Sequence, residues 1–369
     1  MLAPRDEADL AELVAATRAP LEPVAGGSKR CVGRPVAAEA LDLSALRGIL
    51  DYEPRELVLT ARAATPLEEI EGALAAHSQR LAFEPPDWTR LLATRGRPTL
   101  GGTLAANASG SRRITAGAAR DHFLGLRAVS GRAERFKAGG RVVKNVTGYD
   151  LPKLLAGSWG TLAVLTEVTV RVHPAPEQDR TLLVEAPHAA AAVRSMSRAL
   201  GAACEVSAAA FVPREGVALR LEGFSRSVAA REIALLEALG APDAARLEGE
   251  DSRAFWRAVG AVDALAGAPV VWRLSVAPSD AARLLERLAP RAYLLDWGGG
   301  LIWIAAEACD AERVRGALEG GHATLIKAPE EVRAAVPVFQ PPPPALAGTI
   351  ARLKAAFDPF DWLNPGRMS

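Results

Sequence analysis

The residues best suited to chemistry form a glycine-rich stretch, TLGGTLAANASGSRR, at 99–113. In it, Gly101, Gly102 and Gly110 surround a run of small and polar residues. Because glycine carries no side chain, the backbone here can approach a ligand closely and direct its N–H groups at an anion. The stretch therefore predicts contact with a negatively charged group.

A second stretch, 142–174, contains a helix start with the same potential. Asp150 is a suitable N-cap for a short helix that has Pro152 in its first turn and Gly157 just past its end. The partial positive charge at a helix N-terminus favours an anion. Three residues lie at this N-terminus: Thr147, Gly148 and Tyr149.

The turn GSWGT at 157–161 leads from that helix into a strand. With a period of two, the strand is predicted to place five apolar residues on one face: Leu162, Val164, Val168, Val170 and Val172. A small-residue turn that opens into a buried strand suits the edge of a large flat cofactor. The chain has neither G-x-G-x-x-G nor G-x-x-x-x-G-K-[ST], so a Rossmann or P-loop site has no support.

Composition narrows the classes of function. At 369 residues the chain is long enough for two domains. Its 44 Lys and Arg nearly balance 43 Asp and Glu, which indicates neither nucleic acid nor an acidic membrane surface as a partner. Cys31, Cys204 and Cys309 form no C-x-x-C pair, so we expect no metal and no iron–sulfur cluster in this chain. No run of 18 apolar residues occurs, which predicts no direct membrane insertion.

The elements that position these stretches follow from local patterns. An amphipathic helix is predicted over 6–18, followed by the turn PVAGGSKR at 23–30. A second helix is predicted to start with Thr65 as its N-cap and Pro66 at its first position. His122 is predicted to be a structural histidine rather than a catalytic one.

After residue 176 the composition shifts towards Ala, Arg, Glu and Leu, which indicates a domain boundary. Strands are predicted at 205–212, 216–222, 269–276, 292–296, 300–306 and 323–327. Helices are predicted at 189–200, 224–239, 279–288 and 309–319. WGGG at 297–300 is typical of a hairpin turn. The alternation predicts an α+β domain with a mostly antiparallel sheet, in which four tryptophans either line a cavity or belong to the core: Trp256, Trp272, Trp297 and Trp303.

The tail is predicted to return to the first domain. Four prolines at 341–344 form a stiff spacer. The helix after them places four apolar residues on one face: Leu346, Ile350, Leu353 and Phe357.

Seven stretches together resemble a known superfamily, the vanillyl-alcohol-oxidase-like or PCMH-type FAD-linked oxidases. They are PVAGGSKRCVGRP (23–35), LDLSAL (41–46), ELVLTARAATPLEEIEGAL (56–74), LAFEPPD (81–87), TLGGTLAANASGSRR (99–113), VKNVTGYDLPKLLAGSWGTLAVLTEV (143–168) and FDPFDWLNPGRM (357–368). Within that superfamily the order of the motifs is most similar to the E subunits of bacterial glycolate oxidases.

The resemblance implies an α+β fold. A PCMH-type FAD-binding domain of two α+β subdomains would occupy 1–175, and an α+β cap with an antiparallel sheet would occupy 176–335. The tail, 336–369, would pack on the FAD domain.

The resemblance also implies which residues contact FAD. The turn at 23–30 would wrap the pyrophosphate, with Gly26, Gly27 and Ser28 as donors and Lys29 as a charge partner. The two glycine-rich stretches would contribute Gly101, Gly102, Thr103, Ala106, Asn107, Ser109, Gly110, Lys144, Thr147, Gly148, Tyr149, Asp150, Gly160 and Val164. Pro85 and Pro86 either line the FAD path or only set their loop. Asn364 and Arg367 either contact the flavin or lock the C-terminus onto the core.

The family's covalent flavin link uses a histidine in the turn at 23–30, and none is present here, so FAD is expected to be non-covalent. The resemblance implies two partners, a D-type flavin subunit and an F-type iron–sulfur subunit. The complex would oxidise a small 2-hydroxy acid, glycolate, to glyoxylate. A cytoplasmic location is expected, or one peripheral to the inner membrane through those subunits.

Catalysis by this chain alone is less well supported. The second half has only His188 and His322, without the histidine cluster that catalytic relatives use. His322 and Lys327 are the candidate catalytic residues. Two other interpretations stay open: a stand-alone FAD-dependent oxidoreductase on another hydroxy acid, alcohol or lactone, and a non-catalytic structural subunit.

Overall fold

The computed structural model describes residues 2–141 and 148–368. Its strands are Leu21–Val24 (β1), Glu39–Asp42 (β2), Ile49–Glu53 (β3), Val58–Arg62 (β4), Gln79–Arg80 (β5), Phe123–Ser130 (β6), Arg135–Gly139 (β7), Ala163–Arg171 (β8), His173–Pro174 (β9), Gln178–Val184 (β10), Ala208–Val212 (β11), Gly216–Gly223 (β12), Ala245–Glu248 (β13), Val270–Ser275 (β14), Ala292–Asp296 (β15), Leu301–Ala306 (β16) and His322–Lys327 (β17).

The α-helices are Glu7–Ala16 (α1), Leu67–Ala75 (α2), Thr89–Leu92 (α3), Leu100–Ala105 (α4), Arg113–Ala116 (α5), Leu151–Leu155 (α6), Ala189–Gly201 (α7), Ser225–Leu239 (α8), Gly249–Ala261 (α9), Ala281–Leu288 (α10), Ala311–Gly316 (α11), Glu330–Ala335 (α12) and Pro344–Phe357 (α13). Short 3₁₀ turns lie at Ala119–Asp121, Asp263–Leu265, Pro278–Asp280 and Trp297–Gly299. Among the described residues, no helix has both the length and the apolar character needed to cross a membrane.

The first half of the chain, up to residue 175, contains a five-stranded sheet in the order β3-β4-β8-β6-β7 and a parallel pair, β1 and β2. Each strand pairing in the five-stranded sheet is antiparallel. Helix α1 begins as predicted, because the Asp6 carboxylate accepts hydrogen bonds from the N–H groups of Ala8 and Asp9. Its buried residues, Leu10 and Val14, share a core with Leu21 of β1, Val129 of β6 and Val164 of β8.

The single apolar face predicted for β8 is wrong at Val164. A β-bulge inserts Thr166, since Arg127 pairs with Glu167 whereas the next residue of β6, Ala128, pairs with Leu165. One extra residue reverses the side of the sheet to which the following side chains point. Val164 therefore packs with the core around α1, and Val168 lies in the other core, with α2 and α4.

The predicted cap of α2 is also wrong. Pro66 occupies the N-cap position, and its side chain accepts no capping hydrogen bond. The Thr65 hydroxyl instead donates to the Arg62 carbonyl at 2.7 Å and accepts from the Gly48 N–H at 2.8 Å. A threonine hydroxyl that satisfies two neighbouring turns serves the loop before the helix rather than the helix itself.

The second half contains an antiparallel eight-stranded sheet in the order β13-β10-β12-β11-β15-β16-β14-β17. Helices α7, α8 and α10 cover one face, around a core that includes Trp272. The other face packs against the first half through Trp303, whose ring lies 5.7 Å from that of Trp88. WGGG forms the predicted turn between β15 and β16. We keep as a proposal the division into domains 1–175, 176–335 and 336–369.

Four elements of the second half were missed: β10, β13, α9 and α12. Strand β10 begins with Gln178 and Asp179, and Asp179 and Thr181 are both buried in a polar network. Because buried polar residues replace apolar ones, the alternation that predicts a strand is weak there.

A buried ionic network joins the two halves. Arg220 of β12 lies 2.5 Å from an Asp179 oxygen and 2.5 Å from an oxygen of Glu84, which belongs to the first half. Arg112 of the first half lies 3.0 Å from Glu222. Burial raises the pKa of Glu222, but the surrounding arginines outweigh this effect and lower the pKa to about 2. This network fixes how the second sheet covers the first half.

The tail does return to the first half. The N–H of Asn364 donates to the Leu21 carbonyl at 2.9 Å, and the Lys354 ammonium donates to the Thr161 carbonyl at 2.7 Å. The apolar face predicted for α13 is only partly correct: Leu353 and Phe357 pack against the first-half core, but Leu346 and Ile350 are 52% and 48% exposed.

Candidate flavin-binding cleft

A cleft lies in the first half, where the two glycine-rich stretches, the turn at 23–30 and the tail meet; its cavity volume is about 140 Å³, or about 840 Å³ with the space open to solvent. It is lined by eleven of the residues predicted to contact the cofactor: Gly26, Gly27, Ser28, Lys29, Gly101, Gly102, Ala106, Gly160, Val164, Asn364 and Arg367. Four segments far apart in the sequence are thus brought to one place. We refer to this space as the cleft.

The turn at 23–30 depends on its glycines for packing. A side chain at Gly26 would place its Cβ 1.8 Å from the Arg97 carbonyl oxygen. Gly27 has a φ of +69°, a conformation that favours glycine. Gly27 and Arg97 form a short parallel bridge, which directs the Ser28 N–H at the Arg97 carbonyl. Within the described residues, the Lys29 N–H donates to no main-chain acceptor, so it is available to an anion in the cleft.

Lys29 is the main electrostatic feature of the cleft. Its side chain is 8% exposed, and within the described residues it forms no ion pair. Burial lowers the pKa of Lys29 to about 8, so the ammonium is still mostly protonated at pH 7. The ammonium lies 5.9 Å from the centre of the Trp88 ring, a cation–π contact, but no carboxylate oxygen lies at ion-pair distance among the described residues. A bound phosphate group would supply an anionic partner.

Helix α4 brings the first glycine-rich stretch against the cleft. The Thr99 hydroxyl accepts a hydrogen bond from the Gly102 N–H and so caps the helix. A Cβ on Gly101 would lie 2.6 Å from that of Ala63, so only glycine lets α4 approach this close. The close approach places small residues along the cleft wall.

Asn364 lies on the opposite wall of the cleft. Its amide donates to the Trp159 carbonyl at 2.9 Å, and its Oδ1 is buried without a hydrogen-bond partner among the described residues. A buried acceptor without a partner is unfavourable, so the site lacks one donor. A hydroxyl or N–H group of a bound ligand would donate the hydrogen bond that Asn364 Oδ1 lacks.

Arg367 serves mainly to hold the structure together. Its guanidinium lies 2.5 Å from Glu22 and donates to the Val32 carbonyl at 3.0 Å and to the Arg30 carbonyl at 3.1 Å. It thereby ties the tail to the turn at 23–30. The residue locks the C-terminus and also borders the cleft, and its contact with the flavin stays a prediction.

Several predicted contact residues lie elsewhere. Pro85, Pro86 and Gly110 border a separate open groove of about 2310 Å³ between the halves. Six other predicted residues do not border the cleft: Thr103, Asn107, Ser109, Gly148, Tyr149 and Asp150. The side chains of Asn107, Ser109 and Asp150 instead accept hydrogen bonds from nearby main-chain N–H groups. Lys144 and Thr147 lie outside the described residues.

The predicted residues that do not border the cleft have different surroundings. Asn107 Oδ1 accepts from the Arg120 N–H at 3.0 Å, and Ser109 Oγ accepts from the Ala119 N–H at 2.9 Å. Asp150 caps α6 as predicted. Tyr149 is 88% exposed.

Other residues that line the cleft were not predicted from the sequence, among them Glu22, Ala63, Arg97 and Trp159. Trp159 lies inside the GSWGT turn, so that motif could have indicated it. Arg97 lies two residues before the first glycine-rich stretch, but an exposed arginine in a loop carries no distinguishing signal.

The two candidate catalytic residues are not close together. Both lie on β17, five residues or about 16 Å apart along the strand. The Lys327 ammonium donates to the Ala266 carbonyl at 2.8 Å, which gives it a structural partner. Desolvation and the charges of Arg273 and Arg113 lower the pKa of His322, so its imidazole is mostly neutral at pH 7. Catalytic roles for both stay predictions.

Comparison with known proteins identifies the class. Residues 1–139 match the family described as FAD binding domain. The chain also superposes on an alkyldihydroxyacetonephosphate synthase with a TM-score of 0.68 at 16% identity, over 98% of this chain and 76% of that one. The likeness shows a shared fold. The predicted α+β fold of the PCMH type is confirmed.

The sequence relatives are more specific. The chain is 36% identical over 363 residues to the glycolate oxidase subunit GlcE of Escherichia coli, with 95% of this chain and 93% of that protein covered. It is 30% identical over 207 residues to the glycolate oxidase subunit GlcD of Bacillus subtilis, over 55% of this chain and 43% of GlcD. The chain therefore belongs to the GlcE family of FAD-linked oxidase subunits.

Proposed function

We propose that this chain is the FAD-binding subunit of a complex that oxidises glycolate to glyoxylate. The observation that carries the proposal is the cleft, where four distant segments with the family's motifs converge on a buried Lys29 that has no ion-pair partner among the described residues. The full-length similarity to a glycolate oxidase subunit supports the choice of complex.

The residues present fit a dinucleotide held without a covalent bond. The Lys29 ammonium, the Lys29 N–H and the Ser28 hydroxyl would bind the pyrophosphate. Asn364 Oδ1 would accept a hydrogen bond from a hydroxyl or N–H group of the cofactor. No histidine occurs in the turn at 23–30, which supports non-covalent attachment. When bound, FAD supplies a two-electron acceptor for hydride from an alcohol carbon.

The tail would orient the cofactor from the opposite side. The Glu22–Arg367 ion pair connects the turn to the tail, and the Asn364 amide holds the Trp159 carbonyl. Both contacts are made within the chain and hold the walls of the cleft in place. A site held in this way loses little conformational entropy on binding, which favours tight retention of a non-covalent group.

We further propose two partners, a D-type flavin subunit that carries out the substrate chemistry and an F-type iron–sulfur subunit that accepts the electrons. The cysteines of the described chain are far apart and free, which supports an electron relay in another subunit. We propose a cytoplasmic location, with attachment to the inner membrane only through partner subunits.

The first test is the visible absorption spectrum of the purified chain before and after acid precipitation. Yellow flavin released into the supernatant is expected, because the attachment is non-covalent. Flavin that stays in the pellet would contradict this attachment. A colourless chain that takes up no added FAD would contradict the cofactor itself and favour a structural subunit.

A matched pair of variants tests the cleft. Lys29→Gln removes its buried cation, and affinity for FAD is expected to fall about tenfold to a hundredfold, as for a lost charge-assisted hydrogen bond. Lys137→Gln removes an exposed lysine of β7 and should leave affinity unchanged. Equal affinities for the two variants would refute the role of Lys29.

Anaerobic addition of glycolate to the FAD-loaded chain separates the remaining alternatives. No bleaching alone, with bleaching after the D-type subunit is added, is the expected result. Bleaching by the chain alone would favour a stand-alone oxidoreductase. Copurification of a tagged chain with both partner subunits tests the complex, and their absence from the eluate would contradict it.

A further inference from the structure

A group of cations lies between the two halves, away from the residues of the cleft. In the second sheet, Arg273 pairs with Trp303 on one side and with Thr324 on the other, and Ser275 pairs with His322. Directly paired residues of antiparallel strands share a face. Arg273 and His322 therefore lie on the face that covers the first half, where Trp303 also lies.

The first half contributes a second guanidinium to this place. Arg113 ends the first glycine-rich stretch, and its guanidinium carbon lies 4.7 Å from the centre of the Trp297 ring. That of Arg273 lies 5.1 Å from the centre of the same ring. The indole is itself fixed, because its N–H donates to the Gly110 carbonyl at 3.1 Å. One ordered ring thus positions two arginines from different halves of the chain.

No carboxylate neutralises these arginines. Within residues 2–141 and 148–368, no carboxylate oxygen lies within 4.0 Å of a nitrogen of either guanidinium group. The buried carboxyl of Asp296 accepts instead from the Ser111 hydroxyl at 2.8 Å and from the Trp297 N–H at 2.7 Å. Asp121 lies 3.8 Å from Arg120.

The two arginines remain charged although they are desolvated. Burial and, to a smaller extent, the charge of Arg113 lower the pKa of Arg273 to about 10, so Arg273 is protonated at pH 7. Burial raises the pKa of Asp296 to about 7, which leaves that carboxyl partly neutral. The balance of charge here is positive. Bringing like charges together is unfavourable unless an anion lies between or beside them.

We propose that Arg113 and Arg273 form a binding site for the carboxylate of a small organic acid, with His322 beside it. Planar guanidinium groups bind carboxylates with two parallel hydrogen bonds, and stacking on Trp297 leaves their edges free to do so. A neutral His322 imidazole can accept a hydrogen bond from a hydroxyl group on the same acid. The site therefore suits a 2-hydroxy acid.

This site is linked to the cleft by a single segment. The stretch 99–113 lines the cleft with Gly101 and Gly102, contacts Trp297 through Gly110 and ends at Arg113. An acid bound at Arg113 would lie at the far end of the segment that borders the cofactor site. The choice of a 2-hydroxy acid rests on the proposed function, whereas the carboxylate site rests on the arginines alone.

Isothermal titration calorimetry on the full chain tests the site, with glycolate and oxalate as probes and neutral glycolamide as the matched control. Glycolate and oxalate are expected to bind, and glycolamide is not. Arg273→Gln and Arg113→Gln should each weaken binding about tenfold or more. Arg287→Gln removes an arginine of α10 that pairs with Glu319, and it should leave binding unchanged.

A conservative variant guards against a loss of binding that is caused only by misfolding. Arg273→Lys keeps the charge but not the planar group, so it should bind oxalate with intermediate affinity even if Arg273→Gln fails to fold. Equal affinities for wild type, Arg273→Gln and Arg113→Gln, or no carboxylate binding at all, would overturn the proposal.

The flavin content of each sample is measured first, so that the two proposals fail separately. A yellow protein that binds no carboxylate would refute this site and leave the proposed function standing. A colourless protein that takes up no added FAD, but loses carboxylate binding when either arginine is replaced, would support the site and contradict the FAD proposal.

Discussion

Asp296 provides a test of the packing between the two halves. Its side chain is 2% exposed, and burial raises its pKa from 3.8 to about 7. Between these two values the folded protein holds a proton on Asp296 that the unfolded chain has released. The unfolded state then binds fewer protons, so the stability contributed by this group falls as pH rises from about 4 to about 7.

Asp296→Asn removes the titration while keeping the shape of the side chain. Its carbonyl can still accept from the Trp297 N–H, and its amide can donate to the Ser111 hydroxyl. A shift of roughly three units corresponds to about 4 kcal/mol in total, at about 1.4 kcal/mol per unit. Most of this change, about 3 kcal/mol, falls between pH 4.5 and pH 8.

The assay is urea unfolding of wild type and variant at several pH values, followed by tryptophan fluorescence. The free energy of unfolding of Asp296→Asn is expected to rise relative to wild type by about 3 kcal/mol from pH 4.5 to pH 8. Asp243→Asn, at an exposed carboxylate, is the control and should track wild type.

A constant difference between wild type and Asp296→Asn across this range would refute the reasoning. A difference of the opposite sign would mean that the folded protein stabilises the ionised carboxylate, through Arg273 or Arg113. It would then also weaken the case for an unneutralised pair of arginines.

Two other predictions concern packing. Gly26→Ala forces a Cβ against the Arg97 carbonyl, so it should cost several kcal/mol in urea unfolding and abolish FAD uptake, whereas Gly72→Ala in α2 should stabilise by about 0.5–1 kcal/mol. Stable, flavin-loaded Gly26→Ala would contradict the described turn. Arg220→Met leaves Asp179 buried without its partner and should cost about 3–5 kcal/mol in the same assay. A loss below 1 kcal/mol would mean that water reaches the network.

The sequence predicted the local features of the fold well where one signal dominated. The cap of α6 by Asp150 and the WGGG turn depend on residues within a few positions of each other, so they could be derived from the residues alone. The bulge at Thr166 could not, because it depends on pairing between β6 and β8. Because the bulge changes the side of the sheet to which Val164 points, Val164 borders the cleft.

The candidate site shows the same division. Glycines and Lys29 in the turn at 23–30 were named from the motif, and they line the cleft. Asn107 and Ser109 belong to an equally suggestive motif, but their side chains satisfy main-chain groups nearby. Hydrogen-bond partners from other parts of the chain decide between these outcomes, and the order of residues does not reveal them.

Arg113 and Arg273 illustrate a limit of another kind. They lie 160 positions apart, and neither belongs to a recognised catalytic pattern. Their shared contact with Trp297 exists only once the second sheet covers the first half. Sites built across two domains are visible only in three dimensions.

The tail has a consequence for biosynthesis. One wall of the cleft comes from Asn364 and Arg367, and the Arg367–Glu22 ion pair closes a loop of nearly the whole chain. Domains usually fold during synthesis from the N-terminus onwards. The first half can therefore collapse on the ribosome, but the cofactor site is complete only after residue 367 has emerged. Flavin loading would follow translation, and chains truncated before the tail would form a folded core that retains no cofactor.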